Sequence, residues 1–221
     1  MGKYGINREE FIEMLKNGET DFKDKLFDRG GDFDISALRV SGLFFARSDL
    51  TNLVSNGTEL CDCHFFDNKM ADAMFNRALF KKCYFEAVKG PLFISDAPFN
   101  DCNIFNSDLS YSKIQYEGFP ASFRCIKDCN IYKTDFTKTV FTNVVFYNTS
   151  FTDSTFEHAV FTGCYFSGNI KGLNLAGASL KNCGFYDPVH IDEDKKFANS
   201  VFKDCSFFGI AELENTELPE V

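Results

Sequence analysis

Residues 134–166 read TDFTKTVFTNVVFYNTSFTDSTFEHAVFTGCYF, with an aromatic closing every fifth position: Phe136, Phe141, Phe146, Phe151, Phe156, Phe161 and Phe166. Two places before each stands a small residue, Thr134, Thr139, Val144, Thr149, Ser154, Ala159 and Cys164. A beat of five is neither the helical 3.6 nor the strand period of 2. Held over seven units, it marks a repeat architecture in which each unit packs on its neighbours.

The same beat extends outward in both directions. Upstream it runs through Leu60, Phe65, Met70, Phe75, Phe80 and Phe85, with Thr58, Cys63, Ala73, Ala78 and Cys83 among the small positions. Phe99, Ile104, Leu109, Ile114 and Phe119 continue it. Downstream stand Leu175, Leu180, Phe185, Phe202 and Phe207, with Cys183 and Cys205 behind two of them. The unit ending at Ser55 is weak. Two intervals, Phe85–Ile94 and Phe166–Leu175, are nine residues long where ten would keep the beat. Each carries a Lys-Gly pair, so each is read as a corner that skips one residue, with glycine supplying the unusual angles. Breaks at about 86–97, 120–130 and 186–199 are expected as loops. The last holds Pro188 and the charge run Asp192–Lys196.

Ahead of the repeats, Asn7-Arg8-Glu9-Glu10 predicts a helix start, with Asn7 as N-cap and Glu10 completing a capping box. Phe11, Met14 and Leu15 make one apolar stripe, and Gly18 is positioned as the stop. A helix this short is marginal alone. It is expected to cover the open end of a solenoid.

These units resemble the pentapeptide-repeat family, whose consensus places a small Ala, Cys, Ser or Thr two positions before Leu or Phe. The resemblance covers roughly residues 31–218. It implies an all-β fold, a right-handed quadrilateral parallel β-helix with four pentads per coil and roughly eight coils at about 4.8 Å each. The implied division is a capping helix and lead-in over 1–30, the β-helix over 31–218, and a tail over 219–221. The central residues point inward and stack: Phe65, Phe75, Phe80, Phe85, Phe136, Phe141, Phe146, Phe151, Phe156, Phe161 and Phe166. Cys63, Cys83, Cys102, Cys129, Cys164, Cys183 and Cys205 take the inward small position.

Composition bounds the chemistry. Among 221 residues there are 28 Phe, 8 Tyr and no Trp, which favours a core of flat rings with no buried N–H to satisfy. The net charge is −9, but residues 35–185 hold fourteen acids and fourteen bases, so the acidity lies at the two ends. No basic patch points to direct nucleic-acid binding. No leader-like or membrane-spanning apolar run appears, so a cytoplasmic location with reduced thiols is expected. The close cysteine pairs are Cys61-x-Cys63 and Cys125-x3-Cys129, each joining an inward residue to an outward one, so neither reads as a zinc chelate and no metal or cofactor is expected. Cys61 and Cys125 fall off the beat and are expected at the surface. His64 and His158 should face water. No nucleophile–base pair can be assembled and a filled tube leaves no cavity for a substrate, so no catalytic residue is assigned.

A rigid rod without a pocket binds through its surface. The leading expectation is a non-catalytic interaction or scaffold protein of a bacterial cytosol, with Asp187, His190, Asp192, Glu193 and Asp194 as a possible partner-binding loop. The family resemblance implies an alternative, since some members imitate duplex DNA and bind DNA gyrase or topoisomerase IV, giving quinolone resistance. Asp108, Asp128, Asp135 and Asp153 would serve that role if they gathered on one face. The C-terminal coil, with Phe207, Phe208 and Ile210, is expected to be covered either by the last ten residues or by an end-to-end homodimer.

Overall fold

A computed structural model describes residues 5–27, 33–117, 125–186, 189–191 and 199–208. Helix α1, Arg8–Lys16, opens the chain. Asn7 Oδ1 accepts from the Glu10 amide at 2.9 Å and Glu10 Oε2 accepts from the Asn7 amide at 3.0 Å, closing the capping box. At the other end the Glu19 amide reaches Met14 O and the Gly18 amide reaches Leu15 O, while Gly18 sits at φ +81. This is a Schellman stop. Phe11 then enters the end of the tube against Phe22 at 4.9 Å and Phe33 at 5.2 Å. Arg8 clamps the helix to the first coil by donating to Asp34 O and Ser36 O.

The remaining chain winds as a solenoid with four faces, named here in the order that a coil meets them. Face one is a nine-stranded parallel sheet, face two a six-stranded one and face four an eight-stranded one. Face three is held by single bridges such as Asp49↔Lys69 and Lys69↔Lys89. In the lower coils residue i pairs with i+20: His64 with Tyr84, Leu60 with Phe80. Four pentads therefore complete one coil.

The corners between faces use left-handed backbone. Among the described residues twenty-four non-glycine positions have positive φ, and Asp or Asn fills most of them, for example Asp62, Asp67, Asn143 and Asn148. Those side chains tolerate the left-handed region best. The small inward residues do more than fit. Thr139 Oγ1 donates to Leu109 O at 2.9 Å, Thr149 Oγ1 to Ile126 O at 3.0 Å and Cys83 Sγ to Leu60 O at 3.2 Å. Each caps a carbonyl of the coil below, which explains the preference for Ser, Thr and Cys over Ala.

Inside, rings stack at the strand spacing. Phe65–Phe85 and Phe146–Phe166 both lie 4.9 Å apart, and Phe141–Phe161 is 4.7 Å apart at 5°. The interior is not phenylalanine throughout. Ile94, Ile104, Leu109, Ile114, Ile126 and Ile131 form an aliphatic waist between a lower and an upper ring stack. Their branched side chains do not fill the volume of rings, and an enclosed apolar gap of about 20 Å³ remains among them.

The expected breaks resolve differently from their reading as loops. At 86–97 there is no bulge: Leu92–Ser95 is a wall strand paired with Ala73–Asn76. The missing residue is absorbed at Gly90, φ +123, where a Cβ would lie 2.6 Å from the Ala71 amide nitrogen. The second short interval does not simply skip a residue. Tyr147 pairs with Ser167, Ser150 bridges Lys171 and Val160 pairs with Ser179, so the chain gains one residue and then loses two. Gly168 and Gly172, both at positive φ, carry it around. Within 120–130, Cys125–Lys127 is a wall strand, and Ile126 occupies the inward position over Phe99. The offset between coils rises there from twenty, Phe93↔Lys113, to twenty-seven, Phe99↔Ile126. Phe119 lies outside the described residues. In the third break, Val189–Ile191 pairs with Ile170–Leu173, so it too contains wall.

Candidate interaction surfaces

The eleven phenylalanines of the inward series, Phe65 to Phe166, are all at most 3% exposed. The cysteines form two internal columns. Cys63, Cys83, Cys102 and Cys129 stand one above another behind face two; Cys164, Cys183 and Cys205 do so behind face one. All nine cysteines are unpaired. Among the described residues no group of three or more His, Cys, Asp and Glu is placed to hold a metal ion. Contact with the Cys102 thiol and burial push Cys83 up to about 12, and contact with Cys164 and burial do the same for Cys183. Such thiols stay protonated and poorly nucleophilic at neutral pH.

Two thiols depart from their sequence reading. Cys125 is buried at 9% exposure, because the strand that carries it belongs to the wall, and burial pushes it up to about 11. Cys205 is only half-buried, since it lies in the last described coil. Cys61 is half-exposed.

Of the expected partner loop, Asp187, Asp192, Glu193 and Asp194 lie outside the described residues, and His190 is described only as backbone in the strand Val189–Ile191. His64 and His158 are exposed. His64 stacks on Tyr84 at 4.4 Å, and His158 is 3.7 Å from Glu157.

The four carboxylates that would suit a DNA mimic do not gather. Asp108 and Asp135 are bridged neighbours on face three. Asp128 sits at the corner between faces one and two, bonded to Asn148 Nδ2 at 3.0 Å, and Asp153 sits at the next corner. Along face three both signs are mixed, in the order Asp49, Lys69, Lys89, Asp108 and Asp135. Arg47 is paired with Asp24 at 2.7 Å and Lys89 with Asp67 at 3.1 Å around a shallow hollow on that side.

Faces one, two and four carry exposed apolar groups. On upper face one, Tyr165 and Tyr186 lean over Gly184, where a Cβ would meet Tyr165 Cδ1 at 2.9 Å, and Phe208 stacks on Tyr186 at 4.9 Å. Face two shows Phe44, His64 and Tyr84 in one column. Face four has two rows. One runs Val54, Met74, Phe93, Lys113, Val140, Val160, Ser179 and Val201. The other runs Asn56, Asn76, Ser95, Gln115, Thr142, Thr162, Lys181 and Lys203. Sequence periodicity marks these positions as outward but not which of them share a face.

Comparison with known proteins agrees with this geometry. Residues 126–168 match the family model of pentapeptide repeats, with nine copies. No curated protein matches the sequence. Among solved structures, two trypsin-treated variants of QnrB1, a plasmid-mediated fluoroquinolone resistance protein, superpose with a TM-score of 0.59. They are 14% and 15% identical, and the matches cover 76% and 74% of this chain and 90% and 81% of theirs. HetL, from the cyanobacterium Nostoc sp. strain PCC 7120, is described as a pentapeptide-repeat protein involved in heterocyst differentiation regulation. It matches at TM-score 0.30 and 11% identity over 90% of this chain and 94% of its own. The repeat is matched in sequence over residues 126–168, and four-sided parallel coils wind above and below it, so the chain has the fold of a pentapeptide-repeat β-helix.

Proposed function

We propose that this chain is a non-catalytic scaffold that binds another protein through its outer faces. The observation that carries this reading is the interior: side chains fill it along the described coils, and the gap of about 20 Å³ has room for little more than one water molecule. Substrate-sized sites are several hundred cubic ångströms and converge polar groups on one point. The nine unpaired thiols fit a reducing, cytoplasmic setting. No described helix is long and apolar enough to cross a membrane. Saturable capture of a stoichiometric partner from host extract by the immobilised protein is the expected result. A screen that finds substrate turnover and no saturable partner would overturn the reading.

The likeness to QnrB1 supports a second reading, a binder of DNA gyrase or topoisomerase IV that imitates duplex DNA. Against it stand the mixed charges of face three and the separated Asp128 and Asp153. A supercoiling assay discriminates. Inhibition of gyrase, or its protection from a quinolone, at micromolar protein favours the second reading, and neither effect favours the first. An end-to-end homodimer through the coil of Phe202 and Phe207 is compatible with both and is read by sedimentation.

A further inference from the structure

Above Val54 the two rows of face four contain Lys113, Lys181 and Lys203 and no carboxylate, on a chain whose net charge is −9; Asp34 bridges Val54 at the lower end of the first row. No ion pair to Lys113 is found among the described residues. The first row is otherwise mostly apolar and open: Met74 is 40%, Phe93 42% and Val160 39% exposed. Beside Met74, Phe93 and Lys113 lies a surface hollow of about 200 Å³ edged by Asn76 and Gln115. The second row supplies amides and hydroxyls. The eight strands, with seven spacings of about 4.8 Å, extend roughly 34 Å.

We propose that face four docks an amphipathic α-helix from a partner protein, its apolar ridge along the first row and an acidic flank toward the lysines. This rests on the scaffold reading above and names the kind of partner. The wall excludes strand addition on the face itself, because its backbone N–H and C=O groups already pair between coils. A partner lying there must bring a backbone that is satisfied internally, and a helix does so. A helix of about 20 residues spans roughly 30 Å, and its apolar side chains recur about every 5.4 Å, close to the coil spacing. Three lysines beside an apolar row are too few and too dry for a nucleic-acid backbone, which is bound by many cations. They suit one or two carboxylate turns of a helix flank.

The test uses the full-length protein and three 20-residue peptides: a leucine-ridged helix with glutamates on one flank, the same helix with lysines there, and a scramble of the first. Binding is read by fluorescence anisotropy and by helix gain in the peptide near 222 nm. The glutamate helix should bind several-fold more tightly than the lysine helix and gain helicity, and the scramble should do neither. Phe93→Glu should weaken binding about tenfold or more. Lys113→Glu should narrow the preference between the two helices, by about threefold for one exposed pair. Both positions are exposed, so the fold tolerates both changes. Equal binding of the scramble, indifference to Phe93→Glu, or an unchanged charge preference in Lys113→Glu would overturn the proposal. So would dimerisation through this face, or adsorption to phosphatidylserine vesicles, abolished by Phe93→Glu. A host partner captured equally by wild type and Phe93→Glu would overturn the placement on face four while leaving the scaffold reading standing.

Discussion

The upper stack, Phe136 to Phe166, and the waist, Ile94 to Ile131, are built on the same coil but packed to different standards. In the upper stack every ring but Phe151 lies flat on another, as with Phe136 on Phe156 at 5.0 Å and Phe146 on Phe166 at 4.9 Å. In the waist branched aliphatics meet, a small gap persists, and both the one-residue deletion at Gly90 and the seven-residue insertion before Cys125 fall within or beside it. A ring stack transmits its geometry from coil to coil, because a shifted ring would lose its neighbours above and below. Aliphatic layers hold no such register: the waist absorbs one deletion and one insertion, and the aliphatic layer of Ile170, Leu173 and Leu175 above the stack absorbs the shift at Gly168–Gly172.

The sharpest test of this difference is truncation. Phe161→Ala, in the middle of the upper stack, should lower stability by about 3–5 kcal/mol, since rigid walls cannot close on the cavity. Ile114→Ala, one coil below Phe141 on the same face, should cost less, about 2–3 kcal/mol, because its surroundings are already loosely filled. Urea midpoints at constant m-value read both. Equal losses would mean that the waist is packed as tightly as the stack.

The next effect separates the two thiol columns. The lower one, Cys63 to Cys129, runs from below the waist into it, and the upper one stands on the ring stack. Cys83 and Cys183 are both raised to about 12 in the folded protein, above the ordinary thiol value near 8.5. Unfolded chain therefore loses these protons first. Stability is unaffected below about pH 8 and falls from there toward pH 12, by up to about 1.4 kcal/mol per pH unit for each such thiol. Thermal melts between pH 7.5 and 10.5 should show the decline, and Cys83→Ala should blunt it. At pH 7.5 a thiol reagent should modify Cys61 and Cys205 in the native protein and the buried cysteines only on unfolding. Rapid reaction of Cys83 would show that the coils open at the waist.

How much of this was legible beforehand depends on what each residue answers to. The beat identified the inward rings, because a central position one coil above another can only stack. It did not identify the lengths of the breaks: Leu92 and Cys125 read as loop because their neighbours Gly90, Pro91 and Arg124 spoil the pattern, yet backbone pairing with Ala73 and Val145 returns them to the wall. Corner chemistry was hidden too, since a left-handed Asp62 looks like any outward acid. The outward rows of face four join residues one coil apart, and only the coil register, with its shifts, shows that Phe93, Lys113 and Val140 are neighbours.

A smaller effect comes from Ser55, the weak unit of the lower coils. It occupies a central inward position on face four beneath Phe75, is fully buried, and its hydroxyl has no hydrogen-bond partner. Ser55→Ala should raise stability by about 1 kcal/mol by removing the orphaned group. No gain in the urea midpoint would mean that a water molecule satisfies it.

The smallest expected effect is the most informative about the waist. Ile131 lies between Ile104 below and Phe151 above, on face two. A ring in its place would continue the upper stack downward by one coil and draw on the adjoining gap. Ile131→Phe should therefore change stability by less than about 1 kcal/mol. The control is Ala159→Leu in the closed stack, where Ala159 is fully buried under Ala178 and enlargement should cost about 1–3 kcal/mol. If Ile131→Phe costs as much as Ala159→Leu, the gap is not available to a ring, and the waist is a differently shaped close packing. If it is neutral or stabilising, the aliphatic layer is under-filled, and its tolerance of an altered register follows from that slack.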